Sequence, residues 1–146
     1  MNVRVFKPED YDDVYALWLS CKGLGLNDID DSRAGIEKYL DRNPRTSFVC
    51  EEDGKILGMI IAGNDGRRGY IYHTAVSPDA RRRGIAAKLV EAAVDALDKE
   101  GITKVALVVF DRNSTGNEFW EKMGFSERED LIYRNKAIAK LKRIDL

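Results

Sequence analysis

Val76-Ser77-Pro78-Asp79-Ala80-Arg81-Arg82-Arg83-Gly84-Ile85-Ala86-Ala87 is the stretch on which the fold of this chain turns. Before it, Tyr70 to Val76 reads as an apolar strand. After it, Ile85, Leu89, Ala92, Ala93, Ala96 and Leu97 recur at the 3.6-residue period of a helix. The loop therefore delivers the chain to a helix N-terminus, where backbone N–H groups lack helical partners and the helix dipole is positive. Gly84 lets the backbone approach a ligand closely, and Arg81, Arg82 and Arg83 add cationic charge. Such a loop suits a phosphate. The other reading of the same residues is a solvated turn whose arginines hold nothing.

Downstream, Lys104 to Phe110 reads as a further strand, followed by Asn113, Gly116, Phe119, Trp120, Glu121, Lys122, Met123, Gly124 and Phe125. The spacing Arg81-x-x-Gly84-x-Ala86 behind Ala75-Val76 resembles the acyl-coenzyme A loop of the GNAT (Gcn5-related) N-acetyltransferases. Asn113, Trp120 and the pair Gly124-Phe125 match, in order and spacing, the asparagine, aromatic and Gly-Phe pair that follow the next strand in that family. Two motifs in sequence carry the resemblance over nearly the whole chain.

The remaining sequence accords with one α/β (α+β) domain over residues 1–146. Its 146 residues can bury a core, and 44% apolar content is ordinary for a globular protein. Asn2 to Phe6 alternates as a strand, and Pro8 suits the first turn of a helix to about Ser20 with Val14, Leu17 and Trp18 inward. Asp31 or Ser32 caps a second helix ending near Leu40, before Pro44. Phe48 to Cys50 and Ile56 to Ile61 form a hairpin around Asp53-Gly54. Asn64-Asp65-Gly66 turns into the strand ending at Val76. A helix over 83–99 stops at Gly101, a helix over 114–122 follows, and a last strand is expected at Leu131 to Arg134. The basic tail from Lys136 to Arg143 is expected to fray or form a short helix.

The formal net charge of −1 argues against a general nucleic-acid binder. Two cysteines without ligand spacing and one histidine leave no metal set, so no metal is expected. No apolar run reaches the length of a signal peptide or membrane span, and a cytoplasmic protein without a membrane partner is the expectation. Oligomeric state is not legible, a homodimer being one of the states allowed.

The resemblance implies a mixed, mostly antiparallel sheet, flanked by helices, whose two central strands splay apart. The pantetheine arm of acetyl-CoA would lie between the strands ending at Val76 and Phe110, pairing with Val76 and its neighbours as an added strand does. The pyrophosphate would meet the amides of Arg82, Arg83, Gly84, Ile85 and Ala86, with the arginine side chains on the adenosine-side phosphates. Asn113 would bond the arm, although its position equally suits a simple helix cap. The reaction implied is attack of an amine on the thioester, with the N–H of Thr74 holding the negative charge that develops on the carbonyl oxygen.

Trp120 departs from the pattern, because many relatives carry there a tyrosine that acts as general acid. Its indole N–H can steady a thiolate, or the ring can wall the pantetheine tunnel. The base is open too: Tyr70 stands where some relatives place a glutamate, and Tyr72 and Tyr133 are further aromatic candidates. Imidazole suits proton transfer near neutral pH, but on a regular strand His73 would point opposite to Tyr72 and Thr74. Deprotonating a lysine amine at pH 7 costs about 4.6 kcal/mol against about 1.1 kcal/mol for an α-amine. A site without a strong base therefore favours a protein or peptide N-terminus, or a small amine of lowered pKa. Gly23 to Asp31 would shape the acceptor pocket, its glycines suggesting a mobile loop. Asp28, Asp30 and Asp31 there either attract a cationic amine or serve as loop and cap carboxylates. The alternatives to an N-acetyltransferase are a non-catalytic acyl-CoA-binding module and an interaction module in which Arg81 to Arg83 meet an anionic partner.

Overall fold

Pro8 opens a single 3-10 turn, Pro8–Asp10, that leads into helix α1, Tyr11–Ser20. Ser32 accepts the Gly35 N–H through its side chain and starts α2, Arg33–Arg42. In the computed structural model, which describes residues 1–145, five strands follow the order of the chain: β1 Asn2–Val5, β2 Phe48–Glu52, β3 Lys55–Asn64, β4 Gly69–Val76 and β5 Val105–Ala106. The first four pair antiparallel and β5 runs parallel to β4, giving a mixed open sheet. Asp53 and Gly54, with φ of 53° and 75°, make the tight turn between β2 and β3.

Helices cover both faces. Val14, Leu17 and Trp18 of α1 and Ile36 and Leu40 of α2 bury with Val49, Met59, Ile61 and Ala75. On the other face α3, Ile85–Lys99, buries Ile85, Leu89, Val90, Ala93 and Leu97 against Ile60, Ala62 and Ile71. A Cβ on Gly58 would come within 2.8 Å of Ile85, so the glycine lets the α3 N-terminus settle close to the sheet. Helix α4, Ser114–Lys122, lies beside this second layer through Phe119 and Trp120.

Three expectations are corrected. The strand expected over 104–110 pairs only at Val105 and Ala106, opposite Gly69 and Tyr70, after which the chain leaves β4. Leu131 to Arg134 forms no strand: it pairs with no strand among the described residues, and Leu131, Ile132 and Tyr133 are exposed rather than packed on the sheet. The basic tail forms no helix, and although it is exposed from Lys136 to Arg143 its end is held. Asn27 and Arg143 make an antiparallel bridge, Asp28 N–H donates to the Lys142 carbonyl, and Asp145 accepts the N–H groups of Gly25 and Leu26 at 3.0 and 2.6 Å. The Gly23–Asp31 loop, expected to be mobile, is thereby pinned, with Leu26 buried.

Candidate active site

The register of β3 on β4 fixes which backbone groups face the gap left by β5. Ser77 N–H donates to the Leu57 carbonyl at 2.8 Å, and the pairs Gly58–Val76, Met59–Ala75 and Ile60–Thr74 follow. Antiparallel strands alternate between pairs that bond each other and pairs whose N–H and C=O point away. Counting from Ser77, Val76 and Thr74 belong to the second kind and direct N–H and C=O toward β5, where no strand pairs beyond Tyr70. From Ile71 to Val76 this edge of β4 pairs with no strand among the described residues, although the Val76 carbonyl already accepts from Arg81 Nε and Cys21 Sγ. Thr74 Oγ1 is buried there without a hydrogen-bond partner among the described residues.

At one end of this opening lies the loop before α3. Arg82 and Gly84 both have left-handed backbone, with φ of 64° and 75°, and Gly84 occupies the N-cap. A Cβ on Gly84 would meet nothing within 4 Å, so the space before the helix is free. Turns of this kind gather N–H groups into an anion-binding concavity. The three arginines are not equivalent. Arg83 is drawn 2.6 Å from Glu52, and Arg81 Nε donates to the Val76 carbonyl at 3.1 Å, leaving Arg82 without an ion pair among the described residues.

His73 lies on the face that regular alternation denies it. The β3–β4 register shifts between Ile60 and Ala62, so two residues of β3 span three of β4, and the bulge turns both Tyr72 and His73 toward α1 and α2. Tyr72 meets Tyr39 of α2 edge-on at 5.8 Å, and His73 meets Trp18 of α1 at 5.3 Å. The reading that sets His73 opposite to Tyr72 is corrected by this bulge. His73 Nε2 lies 2.8 Å from Asp31 Oδ1, and Asp31 is 4% exposed. Asp31 Oδ2 accepts the Asn27 N–H, and the Asp31 carbonyl accepts the Tyr11 hydroxyl. In the neutral tautomer that donates Nε2–H to this carboxylate, the lone pair of the imidazole sits on Nδ1.

The other candidates sort by what they touch. Tyr70 packs on Tyr72 at 4.6 Å, and burial, with Tyr133 and Tyr72 nearby, pushes its hydroxyl above the ordinary phenol range, which keeps the phenol protonated near neutral pH. Asn113 caps α4 through Oδ1 to the Gly116 N–H, at 2.9 Å. Trp120 is wedged edge-on between Phe119 and Phe125, with centroids 5.0 and 5.2 Å away. Asp28 accepts the Lys142 N–H through Oδ1, and Asp30 accepts the Asn27 side-chain amide through Oδ2. Among the described residues, no group of three or more His, Cys, Asp or Glu side chains could hold a metal ion.

Residues 11–125 match the acetyltransferase (GNAT) family. The chain belongs to that family. Among the relatives of this GNAT acetyltransferase are acetyltransferase SG1711 of Sodalis glossinidius, 32% identical over 138 residues, and acetyltransferase plu1384 of Photorhabdus laumondii, 34% identical over 140. Each alignment covers 94% of this chain and 96% of the relative. The same fold is seen in AAC(6')-Iy in complex with a bisubstrate analogue, with TM-score 0.75 and 20% identity over 93% of this chain and 97% of that one. It is seen again in the ribosomal-protein-S18-alanine N-acetyltransferase from Escherichia coli, with TM-score 0.73 and 21% identity over 87% and 78% of the two chains. This GNAT acetyltransferase is thus an acetyl-CoA-dependent N-acetyltransferase with an amine acceptor. The open β4 edge, the unpartnered Thr74 hydroxyl and the free space at Gly84 fit the acyl-CoA in kind: an extended amide arm, then phosphates.

The pairing of His73 with Asp31 is what sequence reasoning missed. The sequence presents one as a strand histidine and the other as a loop carboxylate that either caps a helix or attracts an amine. Only the β4 bulge joins them.

Proposed function

We propose that this acetyltransferase modifies an α-amine, at a protein or peptide N-terminus or on a small amine of lowered pKa, in the cytoplasm, with His73 as the general base. The observation that carries the reading is the 2.8 Å contact between His73 Nε2 and Asp31, one residue from the Thr74 amide on the open edge of β4. Asp31 is a positioning residue: it holds the imidazole by Nε2 so that Nδ1 can accept the amine proton. Thr74 N–H donates to the carbonyl oxygen of the thioester as charge gathers there. The amine nitrogen bonds to the acyl carbon, the C–S bond breaks, and coenzyme A leaves as thiolate. With tryptophan at position 120, the thiolate leaves without a phenol beside it. A thiol of pKa about 8.5 tolerates that near neutral pH.

Val76 and Thr74 offer their edge groups to the pantetheine arm, and the amides of Arg82 to Ala86 and the Arg82 side chain receive the phosphates. Arg81 reaches the cofactor on releasing Val76, and Arg83 stays with Glu52. Trp120 walls the arm and Asn113 shapes the start of α4 beside it. Ile85 fixes the first turn of α3 in the core. Calorimetry with acetyl-CoA, followed by thiol release from peptides bearing free or blocked N-termini, tests the reading. Binding with turnover only on free α-amines is expected, whereas turnover confined to lysine side chains overturns it.

A further inference from the structure

The segment that contains α2 leads from Asp31, beside His73, to Asn43, whose Oδ1 accepts the Asn64 N–H at the far end of β3. Between α2 and the sheet lies a groove of about 380 Å³. Tyr39, Tyr70 and Tyr72 form its floor, their rings in contact at 5.8 and 4.6 Å. A Cβ on Gly63 would come within 2.3 Å of the Tyr39 hydroxyl, so this glycine keeps the floor flat against α2.

Charges of opposite sign stand toward the two ends of the groove, with the acidic end beyond Tyr72 and outside its lining. Asp30 and Asp31 stand near Tyr72 and His73. Arg42, Arg68 and Lys104 line the opposite end, at the last turn of α2 and just before the Gly69–Val105 pair. None of these three cations has a salt-bridge partner among the described residues, although the chain as a whole carries a net charge of −1. Asp65 also lines this end, with Oδ1 accepting the Arg67 and Arg68 N–H groups, so the end remains cationic by two charges.

We infer that this groove binds the body of the acceptor, and that the acceptor is a peptide N-terminus with acidic side chains at its third or fourth residue. The inference rests on the acetyltransferase reading given above. Distance selects a peptide over an amino acid. From Thr74 to Gly69 the strand spans about 16 Å at roughly 3.3 Å per residue. An extended acceptor covers that length in four or five residues, and the long arginine and lysine side chains reach inward to shorten it. The ammonium end then lies by Asp30 and Asp31, the acidic side chain lies by the three cations, and the tyrosines supply apolar contact between them. Guanidinium groups suit carboxylates because they donate in pairs.

The test uses heptapeptides with free N-termini that differ only at positions three and four, carrying two glutamates, two glutamines or two lysines. Binding is followed by calorimetry in the presence of coenzyme A, and turnover by thiol release. The expected result is a kcat/KM for the diglutamate peptide at least tenfold above that for diglutamine. The dilysine peptide should be poorest. In the triple variant Arg42→Glu, Arg68→Glu, Lys104→Glu the order should invert, with acetyl-CoA affinity unchanged as the control for folding. Equal kcat/KM across the three peptides, or an order unaltered in the variant, overturns the inference and leaves the acetyltransferase reading standing. Charge-dependent peptide binding without turnover supports the groove and counts against the catalytic reading. Absence of both overturns the groove.

Discussion

His73 Nε2 and Asp31 Oδ1, 42 positions apart in the chain, meet at 2.8 Å under the edge of the Trp18 ring. His73→Gln should lower kcat/KM by a factor of about 10² to 10⁴, the usual range for a lost general base. Asp31→Asn should lower kcat with little change in KM for acetyl-CoA, and Asp31→Glu should restore part of the loss. A nitrogen-15 NMR spectrum separates positioning from bulk: the wild type should show one imidazole tautomer, protonated at Nε2, and Asp31→Asn a mixture. A single unchanged tautomer in the variant would remove Asp31 from the mechanism.

Gly84→Glu and Gly84→Ala separate two effects at one position. Both place a Cβ on left-handed backbone, at a cost of about 1–2 kcal/mol. The carboxylate alone meets the phosphates. Calorimetry should show acetyl-CoA binding abolished in Gly84→Glu and reduced only modestly in Gly84→Ala.

The three neighbouring arginines should respond unequally. Arg82→Ala should weaken coenzyme A binding about tenfold, the loss of a charge-assisted contact. Arg83→Ala should change it less than twofold to threefold, because that guanidinium belongs to Glu52. Equal losses in the two variants would mean that Arg83 leaves Glu52 when the cofactor binds.

Asp10 links the first turn to the sheet and makes stability depend on acid. Burial tends to raise its carboxyl, but the Arg4 guanidinium and the Lys7 N–H outweigh that and hold it below the ordinary carboxylate value. A depressed folded pKa contributes stability above the unfolded value of about 3.9 and loses it as pH falls through the folded value. Urea unfolding should therefore find Asp10→Asn less stable than wild type at pH 7. The difference should shrink below about pH 4.

Asp145→Ala removes the carboxylate that holds the Gly25 and Leu26 amides. Limited proteolysis should then cut at Gly23 to Gly25, and KM for the acceptor should rise while that for acetyl-CoA stays constant. Resistance to cleavage equal to wild type would show that the Lys142–Asp28 and Ile144–Leu26 bonds hold the loop without it.

Local signals carried the parts of this molecule that local physics decides. Ile85, Leu89 and Leu97 marked the buried face of α3, Asp53-Gly54 marked its hairpin, and Arg81 to Ala86 marked the helix entrance. The β4 bulge escaped because alternation assumes a continuous pleat, and a one-residue shift at Tyr72 and His73 changes the face of every side chain before it. The brevity of β5 escaped because Val108 and Phe110 keep the pattern of a strand after their partner has gone. The tail escaped for another reason: its partners lie more than a hundred residues away, and nothing in Lys142 or Asp145 names them.

That last contact also sets an order of events during synthesis. Gly25 leaves the ribosome 120 residues before the carboxylate that will hold it. The nascent domain can build its sheet and both cores while the Gly23–Asp31 loop still lacks an anchor. Closing so wide a span comes late, since the entropy of joining distant segments is recovered only when the structure between them is in place. Translation thus leaves the Gly23–Asp31 loop without its anchor until the fold behind it is finished.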